Sequence, residues 1–230
     1  MARFVITGTG TDIGKTVFAA GLCGLIGARY WKPVQTGLAQ NLPNLAADGR
    51  GHQVAPSAAG QPYLPPNGTD SAEVARLSGQ AVFPESYLLR EPLSPHRAAE
   101  LDGVTIDPAD LVPPDWQDLV IEGAGGVLVP ITRDLLYADL FATWQIPVVL
   151  VCSTGLGTIS HSLTAVESLR ARNVALHGLA FVGDDNADNI ATIAELAKVR
   201  VLGRLPQLPQ LDRHSLAAAM HEQFDPEDFR

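Results

Sequence analysis

Unbroken apolar runs alternate along this chain with longer stretches in which small and apolar residues are spaced by polar ones. Phe4-Val5-Ile6, Leu119-Val120-Ile121 and Val148-Val149-Leu150-Val151 are short and uninterrupted. Runs of that length predict strands covered on both faces. The segment 176–182 predicts another, and 199–202 the last. Arg29-Tyr30-Trp31-Lys32 predicts a second strand after the first, stopped by Pro33, because the residue before a proline is driven to extended geometry. Ala81-Val82-Phe83 predicts a short one. Between the strands, helices are predicted over 15–25, ended by Gly27, and over 70–78, opened by Thr69 as N-cap with Glu73 in its first turn and stopped by Gly79. Further helices are predicted over 97–101, 135–144, 159–172, 189–196 and 215–222.

Strands alternating with helices predict an α/β fold, with a mostly parallel central sheet and helices on both faces. In such sheets ligands collect at the carboxyl ends of the strands. No repeat or internal boundary divides residues 1–230, which read as a single domain. Residues 38–68 break the rhythm: Pro43, Pro56, Pro62, Pro65 and Pro66 fall there without sustained periodicity. They predict a long surface loop inserted in the domain.

Composition narrows the classes of partner. At 230 residues the chain is long enough for one sizeable core. No apolar run approaches the roughly 20 residues of a membrane span, and no signal-peptide pattern precedes the first strand. A net charge of −9 argues against nucleic acid as a main partner. Cys23 and Cys152 fall in a predicted helix and a predicted buried strand, in no metal-binding spacing. A reduced, cytoplasmic protein is the expectation.

The candidate chemistry starts after the first strand. Thr7-Gly8-Thr9-Gly10-Thr11-Asp12-Ile13-Gly14-Lys15-Thr16 joins that strand to the first helix. A glycine-rich loop ending in Gly-Lys-Thr between strand and helix is the context of a phosphate-binding P-loop. The strict pattern asks for glycine where Thr9 stands, with Gly8 and Gly10 on either side. Backbone N–H groups of Asp12, Ile13, Gly14, Lys15, Thr16 and Val17 would ring the phosphates, aided by the helix N-terminus. Lys15 would place a cation on the β- and γ-phosphates, and Thr16 a hydroxyl on Mg2+. The fold is therefore expected to be P-loop NTPase-like.

Three further stretches fit that chemistry. Leu119-Val120-Ile121-Glu122 is an apolar strand ending in an acid, the second element of many NTPases, with Glu122 serving Mg2+. Asp70 is a second candidate acid, with favourable placement at a helix N-terminus as its plainer role. If the second strand lies beside the first, Lys32 brings a second ammonium to the γ-phosphate and stabilises charge on a phosphoryl group in transfer. Gly155-Leu156-Gly157-Thr158-Ile159-Ser160-His161 is another strand–loop–helix junction, this time without lysine. Its free N–H groups suit a phosphate or a small carboxylate. His161 reads as structural, with proton transfer as its alternative role.

These stretches, together with Lys32-Pro33-Val34-Gln35-Thr36-Gly37, Pro92-Leu93-Ser94-Pro95-His96 and Glu122-Gly123-Ala124-Gly125-Gly126, occur in the order found in dethiobiotin synthetases, and the chain resembles that family over most of its length. The offset P-loop with Thr9 is the family's own variant. The resemblance implies a homodimeric enzyme of biotin biosynthesis that uses Mg2+ and ATP to close a cyclic urea from 7,8-diaminopelargonic acid and CO2. It implies that Lys15, Thr11 and Lys32 surround the carbamate and γ-phosphate, and that Thr36 touches the diamine. Thr16, Asp70 and Glu122 would serve Mg2+. The nucleotide would lie along Asp12, Ile13, Gly14, Lys15, Thr16 and Val17, beside Glu122, Gly123, Ala124 and Gly125, with its base near Pro206, Gln207 and Leu208. Leu156, Gly157, Thr158, Ile159 and Ser160 would hold the substrate carboxylate across the dimer interface.

Departures from the family pattern are a short first helix, a long 38–68 insertion, and Val182 where many members carry an adenine-contacting asparagine. Other readings of the same architecture are a partition-type or septum-site ATPase and a nucleotide-binding regulatory module. The former carry a signature lysine at the place of Gly10. Lys15, Lys32 and Glu122 together speak against the latter. Amide-forming cobyrinic acid synthetases usually carry an additional glutaminase domain, for which this chain has no room.

Overall fold

The computed structural model describes residues 1–38, 52–53 and 63–230. In chain order the elements are β1 (Arg3–Gly8), α1 (Lys15–Ile26), β2 (Arg29–Trp31), β3 (Val34–Gln35), β4 (His52–Gln53), α2 (Asp70–Ser78), β5 (Tyr87–Leu88) and α3 (Pro95–Asp102). They continue as β6 (Leu119–Gly126), α4 (Tyr137–Trp144), β7 (Val148–Ser153), α5 (Thr158–Arg170), β8 (Leu176–Val182), α6 (Ala187–Ala197), β9 (Val201–Leu205) and α7 (Arg213–Gln223), with 3-10 turns at Pro108–Asp110 and Pro226–Phe229.

The central sheet runs β2-β6-β1-β7-β8-β9, and all of its pairings are parallel. Successive strand residues point to opposite faces, and both faces are packed. Phe4 and Ile6 of β1 meet Phe18 and Leu22 of α1, Val74 and Leu77 of α2, and Leu216 and Met220 of α7. Val5, between them, joins Tyr137 and Phe141 of α4, Val166 and Leu169 of α5, and Ile193 of α6 on the other face. Unbroken apolar runs are what a sheet covered twice requires. Burying each such side chain contributes about 1.5–3 kcal/mol before chain entropy is counted.

One expected adjacency is wrong. β6, not β2, lies between β1 and the sheet's edge, so β2 is separated from β1 by a strand. Leu119-Val120-Ile121, fully buried, takes the inner place. The three-residue β2, headed by Arg29, is left outside it. β6 also does not stop at Glu122. Its pairing with β1 jumps from Ile6↔Glu122 to Gly8↔Gly126, so β6 bulges where Glu122 turns toward the loop ends.

Smaller shifts follow from caps and chain stiffness. α3 begins at Pro95, whose fixed φ suits a first helical turn. α6 starts at Ala187 because the Asn186 side chain caps the Asn189 amide. The last strand lies at Val201–Leu205 rather than 199–202. Ala81-Val82-Phe83 contributes a single bridge, Tyr30↔Val82. Most of the expected 38–68 loop lies outside the described residues, but His52–Gln53 within it pair antiparallel with β5 in a small sheet ordered β3-β5-β4.

Candidate active site

The cavity of interest sits at the carboxyl ends of β1, β2 and β6. After Gly8 the chain turns through Thr9–Gly14 and enters α1. Asp12 and Gly14 adopt left-handed conformations, with φ of 55° and 92°. Gly14 is the N-cap of α1, and no side chain caps the helix. The first amides of α1 are thereby offered to a ligand, and the helix dipole adds positive potential there. A cavity of about 840 Å³ opens over them. Of the sequence-predicted residues it is lined by Thr11, Asp12, Gly14, Lys15, Thr16, Val17, Lys32, Thr36, Asp70, Glu122, Ala124 and Gly125.

Charge is concentrated on one side of that cavity. Glu122 is 1% exposed, and its two oxygens are divided between neighbours. Oε1 accepts from the Thr16 hydroxyl and from the Lys32 ammonium, both at 3.0 Å. Oε2 accepts from the Tyr30 hydroxyl at 2.9 Å. Lys32 Nζ also lies 2.5 Å from Asp70 Oδ2, so one buried ammonium bridges two carboxylates. Burial opposes the charge on Lys32, but Glu122 and Asp70 outweigh it and hold the ammonium well above the ordinary lysine range. Lys15 goes the other way. Burial, with Lys32 nearby, pulls its pKa below the ordinary value despite Glu122. Its Nζ folds back onto the Gly10 carbonyl at 2.6 Å.

Local sequence explains how Asp70 arrives. Thr69 Oγ1 accepts from the Ala72 amide and starts α2, while the Gln35 side chain accepts from the Asp70 amide at 3.0 Å. Gln35 Nε2 in turn donates to the Thr36 carbonyl. Gln35 thus ties the segment after Lys32 to the start of α2, bringing both carboxylates to one ammonium. Gln35 and Tyr30 were not among the predicted site residues. Gln35 lay inside a motif singled out at Lys32–Gly37, but nothing in its spacing marked an anchor. Pro92, Leu93, Ser94 and Pro95 also line the cavity.

The donor set suits Mg2+. Thr16, Asp70 and Glu122 present hard oxygens, and a cation, the Lys32 ammonium, already stands against two of them. Among the described residues no group of three or more His, Cys, Asp or Glu side chains gathers to hold a metal alone.

A second cavity of about 320 Å³ opens on the other side of the loop, sharing Asp12, Gly14 and Val17 and adding Ile13, Ser153, Val182, Leu205, Pro206, Gln207, Leu208 and Leu211. Its walls mix apolar side chains such as Val182, Leu205 and Leu208 with polar groups such as Asp12, Ser153 and Gln207. A Cβ on Gly14 would come within 2.7 Å of Val182 Cγ1, so Val182 packs directly on the phosphate loop. Asn186 and Asn189, the nearest asparagines in sequence, both donate to the Thr154 carbonyl instead.

The remaining predicted residues lie outside both cavities. Gly123 is enclosed in β6, where a Cβ would meet Phe141 at 2.9 Å. Leu156, Gly157, Thr158, Ile159 and Ser160 form the β7–α5 junction and line neither cavity. Leu156 is fully exposed, while Thr158 is buried and its hydroxyl donates to the Ser153 carbonyl at 2.5 Å. His161 is exposed on α5. Cys23 and Cys152 are buried and unpaired.

A family model described as an AAA domain matches residues 2–215. The chain is 52% identical over 232 residues to the ATP-dependent dethiobiotin synthetase BioD of Novosphingobium aromaticivorans, covering 100% of each. It is 49% identical over 231 residues to the protein of the same name in Rhodopseudomonas palustris, covering 99% of this chain and 98% of that one. The chain belongs to the ATP-dependent dethiobiotin synthetase family.

Solved structures add the architecture that this dethiobiotin synthetase relative shares with other ATPases. The cell division ATPase MinD of Pyrococcus furiosus matches with a TM-score of 0.53 at 13% identity, over 95% of this chain and 89% of that one. A ParA family ATPase of Chlorobium tepidum matches with a TM-score of 0.52 at 10% identity, over 96% and 91%. At such identities the likeness concerns the fold alone, a P-loop ATPase sheet. Among the described residues no helix is long and apolar enough to cross a membrane.

Proposed function

We propose that the chain is an ATP-dependent dethiobiotin synthetase whose reaction takes place in the larger cavity. The observation that carries the reading is the convergence of Lys15, Lys32, Thr16, Asp70 and Glu122 around one uncapped helix start, in a chain about half identical to named dethiobiotin synthetases over its full length. The substrates are ATP, CO2 and 7,8-diaminopelargonic acid. One amine adds to CO2, losing a proton, to give a carbamate. A carbamate oxygen attacks the γ-phosphorus and ADP leaves. The second amine then attacks the carbonyl carbon of the mixed anhydride, phosphate leaves, and the cyclic urea closes.

Each residue has a task that its position supports. The amides of Asp12, Ile13, Gly14, Lys15, Thr16 and Val17 cradle the phosphates. Lys15 swings from the Gly10 carbonyl onto the γ-phosphate. Lys32 and Thr11 hold the carbamate against it. Cations fixed in advance at the place of an oxyanion stabilise developing charge better than mobile ions in water do. Thr16, Asp70 and Glu122 hold Mg2+, which neutralises phosphate charge when bound. Thr36 lies at the diamine end. The base lies against Val182 and Pro206, Gln207 and Leu208.

The β7–α5 junction completes the reading as a homodimer. None of Leu156, Gly157, Thr158, Ile159 and Ser160 lines its own chain's cavity, and Leu156, Gly157 and Ser160 are exposed at an uncapped helix start. In a dimer they receive the substrate carboxylate of the neighbouring subunit's site. The test is a turnover assay with diamine, bicarbonate, Mg2+ and ATP, following phosphate and ring product together. Phosphate release in step with ring closure, and dependent on the diamine, is expected. Release that ignores the diamine contradicts the reading and favours an ATPase of another kind.

A further inference from the structure

Tyr30 has no place in the chemistry above, yet it is among the largest side chains with no exposure at all. It sits in β2 opposite Val120 of β6, inside the apolar cluster that also holds Phe18, Leu22 and Val74. Its hydroxyl is the one polar atom it carries, and it donates to Glu122 Oε2 at 2.9 Å. A carboxylate oxygen can only accept, so the phenol is the donor in this pair. Thr16 and Lys32, the partners of the other oxygen, both line the cavity; Tyr30 does not. The carboxylate is therefore split, with Oε1 facing the reactants and Oε2 turned into the core.

We propose that Tyr30 sets the cation selectivity of the site, because its hydroxyl holds Glu122 Oε2 turned into the core and so presents Oε1, where an ion would displace the Thr16 or Lys32 hydrogen bond, to a divalent ion. This rests on the assignment of Thr16, Asp70 and Glu122 to Mg2+. Mg2+ takes six ligands in a tight octahedron and accepts one oxygen from each carboxylate, whereas Ca2+ takes six to eight and readily accepts both. To bind Ca2+ through both oxygens, Glu122 would have to rotate Oε2 out of the core into the cavity, away from Tyr30, and strand a buried hydroxyl without a partner. Tyr30 is thus a positioning residue: it touches the ligand, not the ion.

The test uses Mn2+ as a paramagnetic probe of the ADP-bound protein, displaced by Mg2+ or by Ca2+, in wild type and in Tyr30→Phe. Phenylalanine keeps the ring in the core and removes only the donor. The preference for Mg2+ over Ca2+ is expected to fall by about fivefold or more as Glu122 becomes free to chelate. A ratio within twofold of wild type in a variant with a native melting profile overturns the proposal. A tyrosine that merely filled space would leave that ratio unmoved. Failure of Mn2+ to bind the wild-type ADP complex overturns the metal site itself, and the selectivity role with it. If Tyr30→Phe does not fold, the wild-type protein still decides. Infrared difference spectra on loading Ca2+ with ADP are expected to show the widely separated carboxylate bands of one-oxygen binding. Narrowly separated, two-oxygen bands overturn the proposal.

Discussion

The β1–α1 and β7–α5 junctions begin their helices in the same way and stand in different company. Gly14 and Gly157 are both left-handed N-caps, with φ of 92° and 88°, and neither helix has a capping side chain. Each junction follows a buried parallel strand and each presents free amides at a helix start, the elements of an anion site. Around Gly14 stand two buried lysines, two carboxylates and a threonine hydroxyl. Around Gly157 the neighbours are solvent, an exposed Leu156 and the His161 ring. The comparison teaches that the backbone supplies a place for an anion, while reaction at that anion is supplied by side chains from other elements. In this chain β2, α2 and β6 bring them only to the first junction.

The largest effect is expected from stripping the first junction of its cation. Lys15→Ala should lower turnover by roughly 10²–10³ or more, since one charge-stabilising donor is typically worth that much. Steady-state kinetics beside a native circular dichroism spectrum checks it. Turnover within tenfold of wild type would mean that the amides suffice, and the contrast between the junctions would collapse.

The two glycines can be compared directly. Gly14→Ala and Gly157→Ala both force a side chain into the left-handed region, at a cost of about 1–2 kcal/mol. At Gly14 the new Cβ also lies 2.7 Å from Val182 Cγ1, whereas at Gly157 the nearest side-chain atom is 3.5 Å away. Denaturant unfolding should therefore show the larger loss for Gly14→Ala, together with weakened ATP binding. Equal losses would show that the packing of Val182 on the loop carries no weight.

The second junction can be tested through the substrate carboxylate proposed for it. The methyl ester of the diamine should bind more weakly than the acid by about 1–2 kcal/mol, the scale of a carboxylate at a helix start. Equal binding by calorimetry would remove the substrate from Leu156–Ser160.

The smallest effect concerns the base. Val182 has neither donor nor acceptor in its side chain, and Asn186 and Asn189 are engaged with the Thr154 carbonyl. The loop amides and Lys15 ignore the base. CTP and GTP should then support kcat/KM within roughly tenfold of ATP, about 1.4 kcal/mol or one hydrogen bond. A preference for ATP above a hundredfold would show that backbone groups of Pro206, Gln207 and Leu208 read the base after all.

The sequence revealed the cast of the site better than its staging. Lys15, Thr16, Lys32, Asp70 and Glu122, which the structure brings to one cavity, stood out because each follows an apolar run or lies at a helix start. β2 was misplaced beside β1 because a crossover that skips one position leaves the same local pattern as one that does not. Lys32 reached the cavity anyway, through β6 and Glu122. Tyr30 stayed hidden: in Arg29-Tyr30-Trp31 nothing local says which ring reaches a carboxylate on a neighbouring strand. The bulge of β6 after Glu122 and the two-residue β3 and β5 were equally silent, since neither is long enough to impose a period on side chains. Gly123 looked like loop and proved to be packed strand.

Lys32 decides most directly whether charges gathered by other elements, rather than the amide cradle, make the first junction reactive. It touches both carboxylates. The measurement is single-turnover phosphate release by Lys32→Ala with diamine, bicarbonate and Mg2+-ATP, run beside Mn2+ binding to its ADP complex. The predicted result is release slowed by about 10²–10³ with the metal–nucleotide complex still formed. Near-normal release from the folded variant would contradict it.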